Sequence, residues 1–397
     1  MTRSVSFHHF VGGDRASAME HLVGVFNASQ SQVVVRAKEL RDGIRDDATE
    51  RLGLLPPYLG NSLPEVVMVY AEFIATLADQ ERIRPLDDLI AGAEGIEVSD
   101  FVDGVMDTVR YRGHIWGLPI EGDPHALYCN RSLLERAGVS AAPATWGEVM
   151  AASVMLAADT DGDGRTDRFG CSHHASDVPL LMWQFGADLV NEERTRIAFD
   201  SEEGTQALKC HADVGACCPA HAEFERGDVG LKLGMLDYYL SGRCEHLDYE
   251  IAPLPRGRRA ANGFGGADST LCLALACRER ECERAGWRFL RWFTTQEGLM
   301  EWVRATGHLP LVGPVLASDE YQEFVARRPR LHTFIKQLPA CRARPCMPEY
   351  PMIKWAIHAA AHEARQDGRG CTLDEARETL RRYAVEAQEA LDRRVKV

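Results

Sequence analysis

No run in this sequence approaches the ~18 consecutive apolar residues of a membrane helix, so no spanning segment is expected. No C-x-x-C occurs, which removes the usual redox dithiol and zinc-ribbon patterns. There is no G-x-S-x-G elbow, P-loop, H-E-x-x-H or G-x-G-x-x-G opening a helix. Gly263-Phe264-Gly265-Gly266 precedes a strand and so lacks the helix N-terminus that a phosphate cradle uses. Positive charge is in deficit, with 45 Lys and Arg against 59 Asp and Glu and a net charge of −14. Phosphate backbones need a clustered positive surface, so no nucleic-acid partner is expected. Repeats, coiled coils and low-complexity tracts are also absent. What is present is 397 residues, 45% apolar and 26% charged, the composition of a soluble globular protein with a sizeable core. At ~150 residues per domain this is two or three domains, or one two-lobed body.

Twelve cysteines leave the redox compartment open. Cys210, His211, Cys217, Cys218 and His221 come nearest to a metal cluster, but their spacing fits no standard zinc pattern and reads as helix-end and loop residues. Cys272 and Cys277 bracket the apolar run Leu271–Ala276 and read as core. Cys341 and Cys346 flank a short loop that a local disulfide could close. Met1–Ser4 leads directly into a strand, with no charged start, apolar stretch and cleavage site. Either a leader has been removed from this chain or the protein is cytosolic.

Strands and helices alternate. Val5–Phe10 is a strand, followed by a Gly12-Gly13-Asp14 turn and a helical face of Ala18, Leu22, Val25 and Phe26. Val33–Val35 and Val66–Val69 are buried strands, with a helix expected near Ile44–Leu55. Tyr111–Pro119 reads as a hairpin turning at Arg112-Gly113. The pattern restarts at Ala126–Cys129, with Asn130 and Gly138 capping a short helix. Helical patterns cover Trp146–Ala158, Glu283–Thr294 and Thr372–Leu391, the last opened by a Thr372/Glu375 capping box. The fold class is α/β, mostly parallel sheet with helices on both faces, and a helical C-terminal region.

One loop carries metal-like spacing. Asp159, Asp161, Asp163, Arg165 and Asp167 stand at positions 1, 3, 5, 7 and 9 of a calcium-type loop, with Gly164 at the sharp turn. Gly170 replaces the bidentate Glu at position 12. A structural calcium is one reading, and an Asx-turn loop without metal is the other.

Several separated segments fall into one order. Gly117-Leu-Pro119 through Tyr128-Cys-Asn130, then Phe224-Glu-Arg-Gly227-Asp-Val-Gly-Leu, Ala285-Gly-Trp287-Arg-Phe289, Thr306-Gly307-His-Leu-Pro310 and Leu373-Asp-Glu375-Ala376 follow each other along the chain. Together they resemble the extracellular solute-binding proteins of carbohydrate ABC transporters, the family that includes maltose-binding protein. The resemblance implies two α/β lobes of the periplasmic-binding-protein type, with ligand held in a cleft between them and closure by a hinge. It implies crossings near Asp123, Ala267 and Pro314, with 1–122 and 268–313 in lobe one and 123–267 and 314–397 in lobe two. It also implies a sugar, oligosaccharide or polyol ligand, ABC permease subunits as partners, a monomer, no catalysis, and a periplasmic or cell-surface location.

By position against that family, the ligand contacts are expected at His9, Asp14, Tyr70, Glu72, Asp123, Trp183, Asp237, Tyr238, Tyr239, Tyr350 and Trp355. Aromatic faces pack on the C–H surface of a sugar and carboxylates accept from its hydroxyls. Trp287, Trp292 and Trp302 are expected in the core, and His173-His174 in an exposed loop. A phosphorylated polyol would need a cationic pocket, to which only Lys354 and Arg112 point. The competing functions are a carbohydrate-active enzyme built on Glu72 and Asp123, and a ligand sensor of the same fold.

Overall fold

Seven residues of alternating burial, Arg3–His9, form β1, the strand around which the first sheet is built. The computed structural model describes residues 2–40, 63–219, 222–264, 270–277, 279–366 and 368–395. The helix expected near Ile44–Leu55 lies outside them, as do His221 and Ala267. After β1 come α1 (Asp14–Ser29), β2 (Val33–Glu39), β3 (Val66–Tyr70) and the short β4 (Leu118–Pro119). Next are β5 (His125–Asn130), α2 (Arg131–Arg136), α3 (Trp146–Leu156), β6 (Phe169–Ser172), α4 (Val178–Phe185) and α5 (Glu202–Ala216). They are followed by β7 (Val229–Met235), α6 (Leu236–Leu240), β8 (Tyr249–Ala252), β9 (Leu271–Leu275), α7 (Arg280–Phe293) and α8 (Gln296–Thr306). The C-terminal region is helical, ending in α9 (Tyr350–Arg365) and α10 (Leu373–Val395).

The chain divides into two compact units. The first holds Met1–Asp123, Phe264–Pro329 and Cys341–Pro351, and the second holds Pro124–Gly263, Arg330–Ala340 and Met352–Val397. The first change of unit falls after Asp123, and 314–329 and 341–351 cluster with the first unit, so the chain changes unit five times.

In the first unit the sheet order is β2-β1-β3-β9-β4. β1 runs parallel to β2 and β3, while β9 is antiparallel to β3 and β4. The apolar face of α7 supplies Phe289, which is fully buried and meets Phe7 of β1 and Phe26 of α1 at 5.2 Å each. A side chain so buried contributes roughly 1.5–3 kcal/mol by leaving water. The expected hairpin forms between Arg110–Tyr111 and His114–Ile115, with positive φ at Arg112 (50°) and Gly113 (82°), as a tight primed turn needs. In the second unit the order is β8-β5-β7-β6, and only β6 and β7 are parallel. This sheet is thus mixed, because β5 enters between β7 and β8 in the opposite sense. Both predicted helix starts hold: Asn130 Oδ1 accepts from Leu133 N (3.2 Å), and Thr372 and Glu375 cap each other's amides (3.2 and 2.7 Å).

The cysteines depart from expectation. Cys277 pairs with Cys282 in a disulfide at the start of α7, so it is not a core residue. Cys341 and Cys346 are both buried, and no disulfide bridges them.

Candidate functional site

In the first unit, β3 delivers its C-terminal end into a single turn, Ala71–Phe73, that buries Glu72. Glu72 and Tyr350, far apart in sequence, line one small cavity with Thr108, Thr270, Arg342 and Arg344. Its volume is about 10 Å³, room for one water-sized group. Ala71 N donates to the Thr270 carbonyl at 2.9 Å, which fixes the turn against the chain entering β9. Thr108 Oγ1 donates to the Val105 carbonyl at 2.7 Å and keeps its lone pairs to accept from another donor. Two of the expected ligand residues are thus brought to one site. The two arginines and two threonines there were not foreseen; alternate positions on an extended segment place Arg342 and Arg344 together, but nothing in the sequence says where that segment lies.

The remaining candidates of this unit are dispersed around it. Tyr70 packs its ring on Phe10 at 4.8 Å. Asp123 donates its amide to the Phe264 carbonyl at 2.8 Å and is half-buried at the end of the unit. Asp14 is exposed in the first turn of α1, where a carboxylate suits the helix dipole. His9 is instead 1% exposed, its ring against Phe7 (5.7 Å), and burial pushes its imidazole below its ordinary pKa. That is a core histidine.

A buried charged node was missed entirely. Arg15 of α1 donates to Glu121 Oε1 at 2.6 Å, and Trp302 Nε1 donates to Glu121 Oε2 at 2.8 Å. Burial works against the Glu121 carboxylate, but Arg15, His308 and the Trp302 donor outweigh it and hold the group below its ordinary pKa. Arg15 directly follows Asp14 and Glu121 lies two residues before Asp123, so the pair ties two expected ligand segments together.

In the second unit the polar residues gather at the C-terminal end of the parallel β6–β7 pair, where α/β sheets bind solutes. His125 Nε2 meets Asp177 Oδ1 at 3.1 Å, and the amide of His174 donates to Asp177 Oδ2 at 2.8 Å. Burial raises the Asp177 pKa, but the His125 partner and the His174 amide bring it down to about 2. Asn262 clamps the His125 backbone at both its amide (3.0 Å) and its carbonyl (2.9 Å). Asp177 was legible as an acidic residue just before Pro179 at a helix start; His125 carried no such signal.

The expected aromatics behave differently. Asp237 is exposed on α6 and Tyr238 is half-buried, its hydroxyl donating to Glu225 at 2.5 Å and its ring lying 4.6 Å from Lys232 Nζ. Tyr239 stacks on Phe334 at 6.5 Å. Trp183 is 3% exposed within α4 and belongs to the core. Trp355 meets Tyr383 of α10 edge-on at 6.1 Å, a helix-packing contact. His173 is likewise not a loop residue: it is 4% exposed and bonded to His211 at 2.8 Å. As pointers to a phosphate, Arg112 is an exposed partner of Asp79 (3.2 Å) and Lys354 is fully buried.

In the acidic loop, Asp159, Asp161 and Asp167 bring carboxylate oxygens within 4.8 Å of one another. Asp163 does not join them; its Oδ1 accepts from the Arg165 amide at 2.8 Å. Gly164 adopts φ +86°, the sharp turn foreseen. The amides of Gly164 and Gly162 bond Asp159 and lower its pKa.

The fold that carries these residues occurs in solved structures. A cyclic alpha-maltosyl-1,6-maltose binding protein from Arthrobacter globiformis superposes with TM-score 0.78 at 21% identity, over 98% of this chain and 100% of that one. UgpB from Mycobacterium tuberculosis, in complex with glycerophosphocholine, gives 0.80 at 19% identity over 100% of both chains. A protein of Brucella abortus named only as a binding protein is 24% identical over 271 residues, 64% of this chain. The match spans 63% of that relative's length. The fold is therefore the two-unit fold of periplasmic binding proteins. Residues 59–213 match the family model described as bacterial extracellular solute-binding protein.

Proposed function

We propose that this chain is the solute-capturing component of an ABC importer, with a sugar, oligosaccharide or related polyol as its ligand and a permease as its partner. The observation that carries the reading is the cavity where Glu72, Tyr350, Thr108 and Thr270 converge, a set of acceptors and hydroxyls suited to a hydroxylated solute. The Arthrobacter and Mycobacterium proteins of the same fold bind a cyclic maltosyl sugar and a glycerol phosphodiester, both rich in hydroxyls or esters of a polyol.

A periplasmic or cell-surface location agrees with the Cys277–Cys282 disulfide, since such bonds persist in oxidising compartments. Among the described residues no helix is long and apolar enough to cross a membrane.

A ligand that binds only the folded state adds about 2.7 kcal/mol at a hundredfold excess over Kd. A thermal-shift screen of sugars and polyols is therefore expected to give at least one clear rise in Tm. A well-folded sample that responds to none of them rejects the reading. A structural calcium at Asp159, Asp161 and Asp167 remains part of the proposal. Calcium added to chelator-treated protein should then raise Tm, and Asp161→Asn should abolish the rise. An unchanged Tm assigns the loop to its backbone-bonded Asp turns alone.

A further inference from the structure

The strand β1 is held unevenly. It pairs with β2 along its full length, Arg3–His9, but its ladder with β3 reaches only Phe7 and His8. On that second side the starting half of β1 relies on side chains. The Ser6 amide donates to Glu65 Oε2 at 2.9 Å. Arg3 reaches the segment between β9 and α7, its Nη2 donating to Glu279 at 2.9 Å and its Nη1 to Glu281 at 2.7 Å. One guanidinium fork thus grips two carboxylates far along the chain. Both carboxylates lie inside the short loop that the Cys277–Cys282 disulfide closes. Glu279 is the N-cap of α7, but its side chain makes no capping bond and turns to Arg3 instead. Its carbonyl accepts from the Glu283 amide at 2.8 Å, and the Glu283 carboxylate is taken by Arg84 at 2.6 Å. An exposed ion pair ordinarily contributes little, because two long side chains must be ordered to make it. Here the cross-link has already restricted the chain that carries the acidic partners, so the fork closes at a lower entropic cost.

We propose that the Cys277–Cys282 disulfide is a redox-sensitive latch on the first strand. While it is closed, Glu279 and Glu281 are spaced for the Arg3 fork; when it opens, the start of β1 loosens. Cys277 is half-buried and Cys282 is 5% exposed, so a reductant thiolate attacks the Cys277 sulfur. Cys282 leaves as a thiolate in the first turn of α7, where the helix dipole favours negative charge, and then takes up a proton. A dithiol reductant next closes on itself and releases Cys277. Two electrons and two protons have then passed to the cysteines, and the reductant is left as its cyclic disulfide.

Thermal unfolding and hydrogen exchange of the full chain, with and without dithiothreitol, test the latch. Reduction is expected to lower Tm by roughly 4–8 °C. It should also speed exchange of the amides at the start of β1 at least about tenfold, while those of β7 in the second unit stay unchanged. A disulfide that staples only its own loop would lower Tm without touching β1. Arg3→Met keeps the side-chain stem and removes the fork. In that variant the drop in Tm on reduction should be about half that of the wild type, because the grip is already lost. An equal drop in both proteins, or β1 exchange indifferent to dithiothreitol, overturns the proposal. Should Arg3→Met fail to fold, β1 exchange in the unaltered protein decides alone. None of these readouts involves a solute, so they are independent of the outcome of the sugar and polyol screen.

Discussion

Trp302→Ala is expected to lower the unfolding free energy by about 3–5 kcal/mol, the range for removing a buried tryptophan. Trp302 is 1% exposed and its ring lies 6.0 Å from that of Phe293. Its indole nitrogen also donates to Glu121 at 2.8 Å, and the Arg15 guanidinium sits 5.5 Å from its ring. Truncation therefore opens a cavity and removes a donor from a buried carboxylate. Trp302→Phe separates the two effects, since it keeps most of the ring volume and deletes only the donor. A hydrogen bond to a charged group contributes about 1.5–3 kcal/mol, so the phenylalanine variant should lose roughly that much at neutral pH. Glu121 is held below its ordinary pKa in the folded state, so its contribution is present above the unfolded carboxylate pKa and fades as pH falls through the folded one. The gap between wild type and Trp302→Phe should accordingly narrow in acid. Urea midpoints at pH 7 and pH 4 measure it. A phenylalanine variant within about 0.5 kcal/mol of wild type at pH 7 would show that Glu121 does not depend on the indole.

The parts of this molecule that were legible in advance are those set by local pattern. The valines of β1–β3, the Asn130 cap, the Thr372/Glu375 box and the Arg112-Gly113 turn each depend on residues a few positions apart, and each formed. The two-unit fold was legible only because ordered segments resembled a family; periodicity alone gave α/β. Side-chain destinations were harder, because they depend on long-range packing. Trp183 and Trp355 satisfy any aromatic-contact pattern, yet packing turned one into the core and the other against Tyr383. The Glu72–Tyr350 pairing was half visible, since both residues were expected at a site. Arg342 and Arg344 were invisible, because a two-residue alternation in a loop has no meaning until the loop is placed. His173 was misread for the same reason: its partner, His211, lies on α5 and only the fold joins them.

That joined pair makes the second unit acid-sensitive. His173 and His211 are 4% and 0% exposed, their rings meet edge-on at 4.5 Å, and Nε2 of one lies 2.8 Å from Nδ1 of the other. One ring donates and one accepts, and burial favours the neutral form of both, so a proton added to either adds a buried charge. The surroundings offer little to receive it. Arg365 of α9 donates to the carbonyls of His173 (3.1 Å) and Cys218 (3.2 Å), and His362 of α9, Lys232 of β7 and His174 after β6 add positive or protonatable groups; Asp177 is the acidic one acting on His173. Burial first, then Arg365, pushes His173 down to about 4. Burial and His173 itself push His211 well below the ordinary value. In the unfolded chain both titrate near 6.5, so as pH falls the unfolded state takes up protons before the folded state does. The stability is complete above the unfolded pKa and is lost progressively as pH falls from there towards the folded one. For His173 the loss between pH 7 and pH 5 is roughly 2 kcal/mol, with His211 adding in the same direction. Asp177, held near 2, contributes a similar loss only below the ordinary carboxylate range and does not enter this window. Urea midpoints should therefore drop steadily from pH 7 to pH 5. His211→Gln, which removes one titrating ring and keeps a hydrogen-bonding side chain, should flatten that slope. A stability that stays level across this window, or an unchanged slope in the glutamine variant, would mean that the buried pair accepts a proton without cost.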